Sequence, residues 1–137
     1  MGKKRVLLVD DNAVVRSLLR KIFESESDFE ISGEAENGRE AVNKAGELKP
    51  DLVILDLTMP TMSGLDAAPL LKKHLPATLI ILFTQHEGRE VERQAQAAGI
   101  DEVVPKTQAA TELVARARAL FESIEKEHNP TKFRNAS

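Results

Sequence analysis

The chain contains no cysteine, no tryptophan and no tyrosine. Without cysteine, disulfides, thiolate nucleophiles and zinc–thiolate sites are excluded. The absence also fits a reducing compartment. Without tryptophan or tyrosine the core has to be mainly aliphatic, with Phe23, Phe29, Phe83 and Phe121 as its expected large pieces. Basic charge is not in excess: 19 Lys and Arg stand against 22 Asp and Glu, for a net charge of -3. That balance argues against direct nucleic-acid binding, which needs a clustered basic surface to meet phosphates. No apolar stretch approaches the roughly 20 residues that span a bilayer. Lys3-Lys4-Arg5 looks like the start of a signal peptide, but the apolar run behind it stops at Asp10. Gly2 lacks the hydroxyl residue that myristoylation wants four places on, where Val6 stands. Asn135-Ala136-Ser137 matches the glycosylation sequon only by chance if the chain is cytoplasmic, which is the expected location.

What is present is a series of apolar runs that end in polar residues. Val6-Leu7-Leu8-Val9 runs into Asp10 and Asp11, and Leu52-Val53-Ile54-Leu55 into Asp56. Leu79 to Phe83 runs into Thr84, and Val103-Val104-Pro105 into Lys106. Between the runs the apolar spacing turns helical, as at Val14, Leu18, Leu19, Ile22 and Phe23. Strands are expected at 5–9, around Phe29 to Ser32, and at 51–55, 78–83 and 102–104. Helices are expected from Ala13 behind an Asn12 cap, and from Asn37 with Glu40 placed as in a capping box. Three more are expected from Ser63-Gly64 to about His74, from Glu87 to Ala98 with Gly99 closing it, and over 109–125. Pro69 sits inside the third helix, so that helix either starts late or kinks. Strict strand–helix alternation implies an α/β fold, a (βα)5 doubly wound parallel sheet. Continuous apolar strands are what burial on both faces requires. One domain over residues 1–125 is expected, with a polar tail over 126–137.

In such a sheet the carboxyl ends of the strands share one edge, where ligands bind. Asp10, Asp11, Asp56, Lys106 and Thr84 would therefore meet there. Like charges so close raise one another's pKa unless a cation neutralises them. A few oxygen ligands with room for water suit magnesium. An ammonium and a hydroxyl beside them suit a phosphoryl group.

These residues closely resemble the receiver domain of two-component response regulators over about residues 4–124. The resemblance rests on Asp10-Asp11, Asp56, Met59-Pro60, Ser63-Gly64, Thr84 and Lys106, each after the matching strand. It implies a flavodoxin-like five-stranded sheet in the order 2-1-3-4-5. It implies that Asp56 takes a phosphoryl group from a histidine kinase or a histidine phosphotransfer protein. Asp11, Asp56 and the backbone carbonyl of Thr58 would hold Mg2+, with Asp10 acting through water. Lys106 would pair with a phosphoryl oxygen, and the Thr84 hydroxyl would turn inward to another. The output would be a protein partner or a homodimer on the face made by the fourth helix, fifth strand and fifth helix. The domain would act on no separate substrate, catalysing only its own phosphorylation and dephosphorylation.

Three places depart from the family pattern. Val103 stands where receivers commonly carry an aromatic residue. Pro105 precedes Lys106, whereas receivers usually have proline after the lysine. Gln85 and His86 follow Thr84 in place of small residues, and His86 and Thr58 are expected to tune the lifetime of the phosphoryl group. An aspartate-nucleophile phosphatase would need a second acid two residues past Asp56, where Thr58 stands. No glycine-rich phosphate loop follows the first strand, which argues against a nucleotide-binding module. A pseudo-receiver that binds partners without phosphorylation is the remaining alternative. The stretch after residue 125 is short for an output domain, so a stand-alone receiver or one cut from a longer regulator is expected.

Overall fold

The computed structural model describes residues 2–127. Ten elements alternate along them: β1 (Lys4–Val9), α1 (Ala13–Glu24), β2 (Phe29–Ala35), α2 (Gly38–Leu48), β3 (Leu52–Leu55), α3 (Gly64–His74), β4 (Leu79–Thr84), α4 (Arg89–Ala97), β5 (Glu102–Pro105) and α5 (Ala110–Glu127). All strand pairs are parallel, in the order β2-β1-β3-β4-β5. This is the expected flavodoxin-like arrangement. α5 runs to Glu127 and so includes the first two residues of the expected tail, whose remainder, 128–137, lies outside the described residues.

The continuous apolar strands are buried on both faces, as their composition requires. Val6, Leu8, Leu52, Ile54, Ile81 and Phe83 face one way and pack with Leu19 and Phe23 of α1 and Leu113, Val114 and Ala117 of α5. Leu7, Val9, Val53, Leu55, Ile80 and Leu82 face the other way, against Ala41 and Ala45 of α2, Ala68 and Leu71 of α3 and Ala95 of α4. Alternation of side chains along a strand sorts one apolar run into two cores. Phe23 and Phe29 meet edge to face with ring centroids 5.2 Å apart, and half-buried Phe121 lies 6.4 Å from Phe29.

The helix caps are as expected. Asn12 accepts from the Val14 and Val15 amides at 2.9 and 3.2 Å, and Ser63 accepts from Asp66 at 3.2 Å. Asn37 accepts from the Glu40 amide at 2.8 Å, while the Glu40 carboxylate reaches the Glu36 amide at 3.1 Å, one residue short of a true capping box.

Two boundaries differ from the sequence reading. The second strand runs to Ala35, past the Ser32-Gly33-Glu34 stretch that resembles a strand end. A bulge lets it continue: the register slips by one between Val6 and Leu7, and the Ser32 hydroxyl donates to the Val6 carbonyl at 3.2 Å. The fourth helix starts at Arg89 and not at Glu87, because Gly88 lies at φ 123, a backbone conformation no helix contains. Pro69 falls in the second turn of α3, which starts at Gly64 and runs unbroken to His74. The proline is exposed, and it leaves the Leu65 carbonyl without its helical donor.

Candidate functional site

Main-chain bonds place the strand-end residues. The Asp10 amide donates to Ala35 of β2 at 3.1 Å, and the Asp56 amide to Val9 of β1 at 3.0 Å. The Lys106 amide donates to Thr84 of β4 at 2.7 Å. Each residue thus extends its strand by one ladder bond before the chain turns away. The sheet order reverses direction between β1 and β3, and the crevice opens at their carboxyl ends. Asp10, Asp11, Asn12, Asp56, Thr58, Gln85, His86 and Lys106 line a cleft there of about 240 Å³.

Carboxylate oxygens of Asp10, Asp11 and Asp56 lie within 4.8 Å of one another. Asp10 and Asp56 are buried and Asp11 is exposed. Burial pushes the Asp56 carboxyl above the ordinary carboxylate range, and the neighbouring Asp10 charge adds to the shift. Lys106 and the Leu57 amide, which donates to Asp56 Oδ1 at 2.9 Å, oppose it without cancelling it. The Lys106 ammonium lies 2.8 Å from Asp10 Oδ2 and 3.5 Å from Asp56 Oδ1. Its nearer partner is therefore Asp10, and one cation bridges carboxylates from two strands.

The loop after β3 needs Gly64 for close approach. Its amide donates to the Leu57 carbonyl at 2.9 Å, and a Cβ there would fall 2.2 Å from the Asp56 carbonyl oxygen. Met59, in the same loop, is buried in the second core. The Ser63-Gly64 pair thus shapes the turn that carries Asp56 and Thr58.

Of the expected site residues, Asp10, Asp11, Asp56, Thr58 and Lys106 share the cleft. Thr84 is fully buried behind it, and its hydroxyl accepts from the His86 amide at 3.1 Å. His86 also reaches across the cleft: its Nε2 is 3.1 Å from the Thr58 hydroxyl. The two positions expected to act on the same group are hydrogen-bonded to each other. Val103 is half-buried on β5, paired with Leu82 and packed into the second core. It offers no ring to follow a movement of Thr84.

Arg16 was not singled out from the sequence, yet its guanidinium donates to the Asp10 carbonyl at 2.6 Å and to Glu34 at 2.9 Å. The available signal was weak: an arginine one turn past the Asn12 cap, on the side of α1 that returns toward the strand end. Its partner Glu34 lies in the stretch where β2 was expected to have ended.

The arrangement is a hard-oxygen cluster with one ammonium at a sheet edge, suited to a divalent cation and an anionic phosphorus group. The response regulator receiver domain profile matches residues 6–118. The chain is 40% identical over 115 residues to the response regulator protein VraR of Staphylococcus aureus strain Mu3, across 83% of this chain and 54% of that protein. It thus spans about half the length of the curated relatives it matches. Among solved structures, it is similar to a LuxR-family two-component response regulator from Aurantimonas sp. SI85-9A1, with TM-score 0.84 and 31% identity over 89% of this chain and 87% of the other. It is also similar to a chain in the CheX–CheY–BeF3–Mg complex from Borrelia burgdorferi, with TM-score 0.82 and 25% identity over 88% of this chain and 90% of the other. Fold, strand-end residues and these likenesses agree: the chain belongs to the response regulator receiver domain family of two-component signalling.

Proposed function

We propose that this receiver accepts a phosphoryl group on Asp56 from a histidine kinase or a histidine phosphotransfer protein, in a reaction that requires Mg2+. The observation that carries the reading is the convergence of Asp10, Asp11, Asp56 and Lys106 in one small cleft at the β1–β3 crevice. A carboxylate oxygen of Asp56 attacks phosphorus of the donor's phosphohistidine. An oxygen–phosphorus bond forms, the nitrogen–phosphorus bond breaks, and the electron pair returns to the imidazole. The raised proton affinity of Asp56 has the same origin as its need for a neutralising partner: burial beside another carboxylate.

The donor set fits a magnesium ion, being all oxygen and open on one side to water. Asp11, Asp56 and the Thr58 carbonyl would hold it, with Asp10 reached through water; when bound it supplies charge that offsets repulsion between the carboxylate and the incoming phosphoryl group. Lys106 then has a new partner. Its ammonium, 2.8 Å from Asp10 in the resting state, shifts to a phosphoryl oxygen. Thr84 turns its hydroxyl from the His86 amide toward another such oxygen, freeing the loop that leads into α4.

That loop is the exit for the signal. With valine at 103, the movement travels through His86 and α4 and not through an aromatic swing on β5. The receiving surface is the α4–β5–α5 face, for a protein partner or a second copy. A phosphohistidine donor fed by ATP places the exchange in the cytoplasm. No helix among the described residues is long and apolar enough to cross a membrane. The domain itself is read as contacting protein and not nucleic acid; one similar structure is a DNA-binding response regulator of the LuxR family from Staphylococcus aureus.

The test is intact mass after incubation with Mg2+ and a small phosphodonor such as acetyl phosphate. One added phosphoryl group is expected on the wild type, and none on Asp56→Ala or without Mg2+. An unmodified wild type would leave the phosphorylation-independent reading in its place.

A further inference from the structure

We propose that Arg16 is a positioning residue for the divalent-cation site, holding the Asp10–Asp11 peptide so that the Asp11 carboxylate stays in the cleft. The proposal rests on reading the acidic cluster as a cation site. Arg16 is the residue where three otherwise separate pieces meet. Its Nε donates to Glu34 Oε1 at 2.9 Å, its Nη1 donates to the Asp10 carbonyl at 2.6 Å, and its Nη2 lies 3.8 Å from Glu36 Oε1. Only 12% of the side chain is exposed.

The partner is itself pinned. The other oxygen of Glu34 accepts from Arg20 Nε at 2.7 Å. Burial by itself would raise the Glu34 carboxyl, but the bonds from Arg20 and Arg16 outweigh it and hold the group below the ordinary range. Glu34 is therefore an ionised, doubly held post on β2, and Arg16 is the strut from that post to the end of β1.

The strut bears on a defined atom. Asp10 is held by its amide to Ala35, by Oδ1 to the Asn12 amide at 2.9 Å and by Oδ2 to Lys106 at 2.8 Å. Of these, the Asn12 bond closes an Asx turn around the peptide that leads into Asp11, gripping it only through the Asp10 side chain. The Arg16 bond holds the peptide directly at its own carbonyl, because that oxygen and the Asp11 nitrogen share one rigid plane. Asp11 is exposed, so its direction depends on the backbone that presents it.

A charge effect and a positioning effect have opposite signs here. Were Arg16 merely a nearby positive charge, removing it would tighten cation binding. If it positions Asp11, removing it weakens binding, by about tenfold on the scale of other groups that orient metal ligands. The experiment is a titration with Mn2+, free ion being followed by electron paramagnetic resonance, on wild type, Arg16→Ala, Arg16→Lys and Asp11→Asn. Circular dichroism checks that each is folded. Wild type should bind one ion, Asp11→Asn should lose it, and Arg16→Ala should bind about tenfold more weakly. Arg16→Lys keeps the charge but cannot serve Glu34 and Asp10 together, and severalfold weakening is expected; it carries the test if the alanine variant does not fold. Unchanged or tighter binding in a folded Arg16 variant, with Asp11→Asn still defective, overturns the positioning role alone. A wild type that binds no ion, or an Asp11→Asn variant that binds as well as wild type, overturns the cation site and this proposal with it.

Discussion

Replacing Lys106 with methionine should destabilise the resting protein, and Mg2+ should repair most of the loss. The ammonium lies 2.8 Å from Asp10 and 3.5 Å from Asp56, and the three side chains are only 14%, 4% and 9% exposed. At an effective dielectric of about 20, each contact is worth roughly 5–6 kcal/mol before desolvation. Desolvating the ammonium takes back a large part of that, and removing one member of a buried ion pair costs about 3–5 kcal/mol net. The cleft opens to water, so the low end applies, about 3 kcal/mol. Methionine keeps the apolar stem, so the loss is chiefly the charge. The assay is urea unfolding in chelator at neutral pH. With no tryptophan or tyrosine in the chain, far-ultraviolet circular dichroism has to follow it. The midpoint should fall with the slope unchanged. A cation draws on the same carboxylates as Lys106, so millimolar Mg2+ should raise the variant's midpoint more than the wild type's. A variant as stable as wild type in chelator, or one that gains less from Mg2+, would refute the shared-charge account of the cleft.

Asp56 gives a pH dependence of known sign. Its folded-state pKa is raised, so the folded protein binds this proton more readily than the unfolded chain. Its contribution is most favourable below the unfolded value of about 4 and is lost as pH rises through the folded value. In chelator, Asp56→Asn should therefore be more stable than wild type at about pH 8, and the gap should close toward pH 4; a constant gap across that range would contradict the shift. Gly64→Ala places a Cβ 2.2 Å from the Asp56 carbonyl oxygen, and thermal unfolding should show a loss of about 3 kcal/mol with the Asp56 loop displaced. His86→Ala removes the bond to Thr58 that spans the cleft. Losing about 0.5–1.5 kcal/mol of ordering corresponds to roughly two- to tenfold faster loss of the phosphoryl group. Equal dephosphorylation rates for variant and wild type would remove His86 from the account.

The parallel, doubly wound sheet and the cleft at its edge were legible because each depends on a local pattern, whereas the strand order came only with the family resemblance. Apolar runs of four to six residues cannot be buried on both faces unless helices cover them, and a charge at the end of each run falls on the same edge. The end of β2 was not legible, because Ser32, Gly33 and Glu34 each favour a break. What keeps the strand going is a bulge whose partner, Val6, is 26 residues earlier. The start of α4 was misplaced for a similar reason: Glu87 and Gly88 are acceptable at the first turn by composition, and only the φ of Gly88 ends the helix there. Which side chain pairs with which across the cleft was not legible. Nothing local says that Arg16 meets Glu34, that Lys106 lies closer to Asp10 than to Asp56, or that the His86 ring reaches Thr58. Those pairings exist because the sheet order brings strand ends together that are far apart in the chain.

Asp56, and no other carboxylate of the cluster, is proposed to take the phosphoryl group. An acyl phosphate can be reduced by borohydride, which converts the aspartyl residue to homoserine and marks its position. After incubation with acetyl phosphate and Mg2+, peptide mass spectrometry of the reduced protein should find homoserine at position 56 alone. Homoserine at position 10 or 11, or at none of the three, would contradict the account.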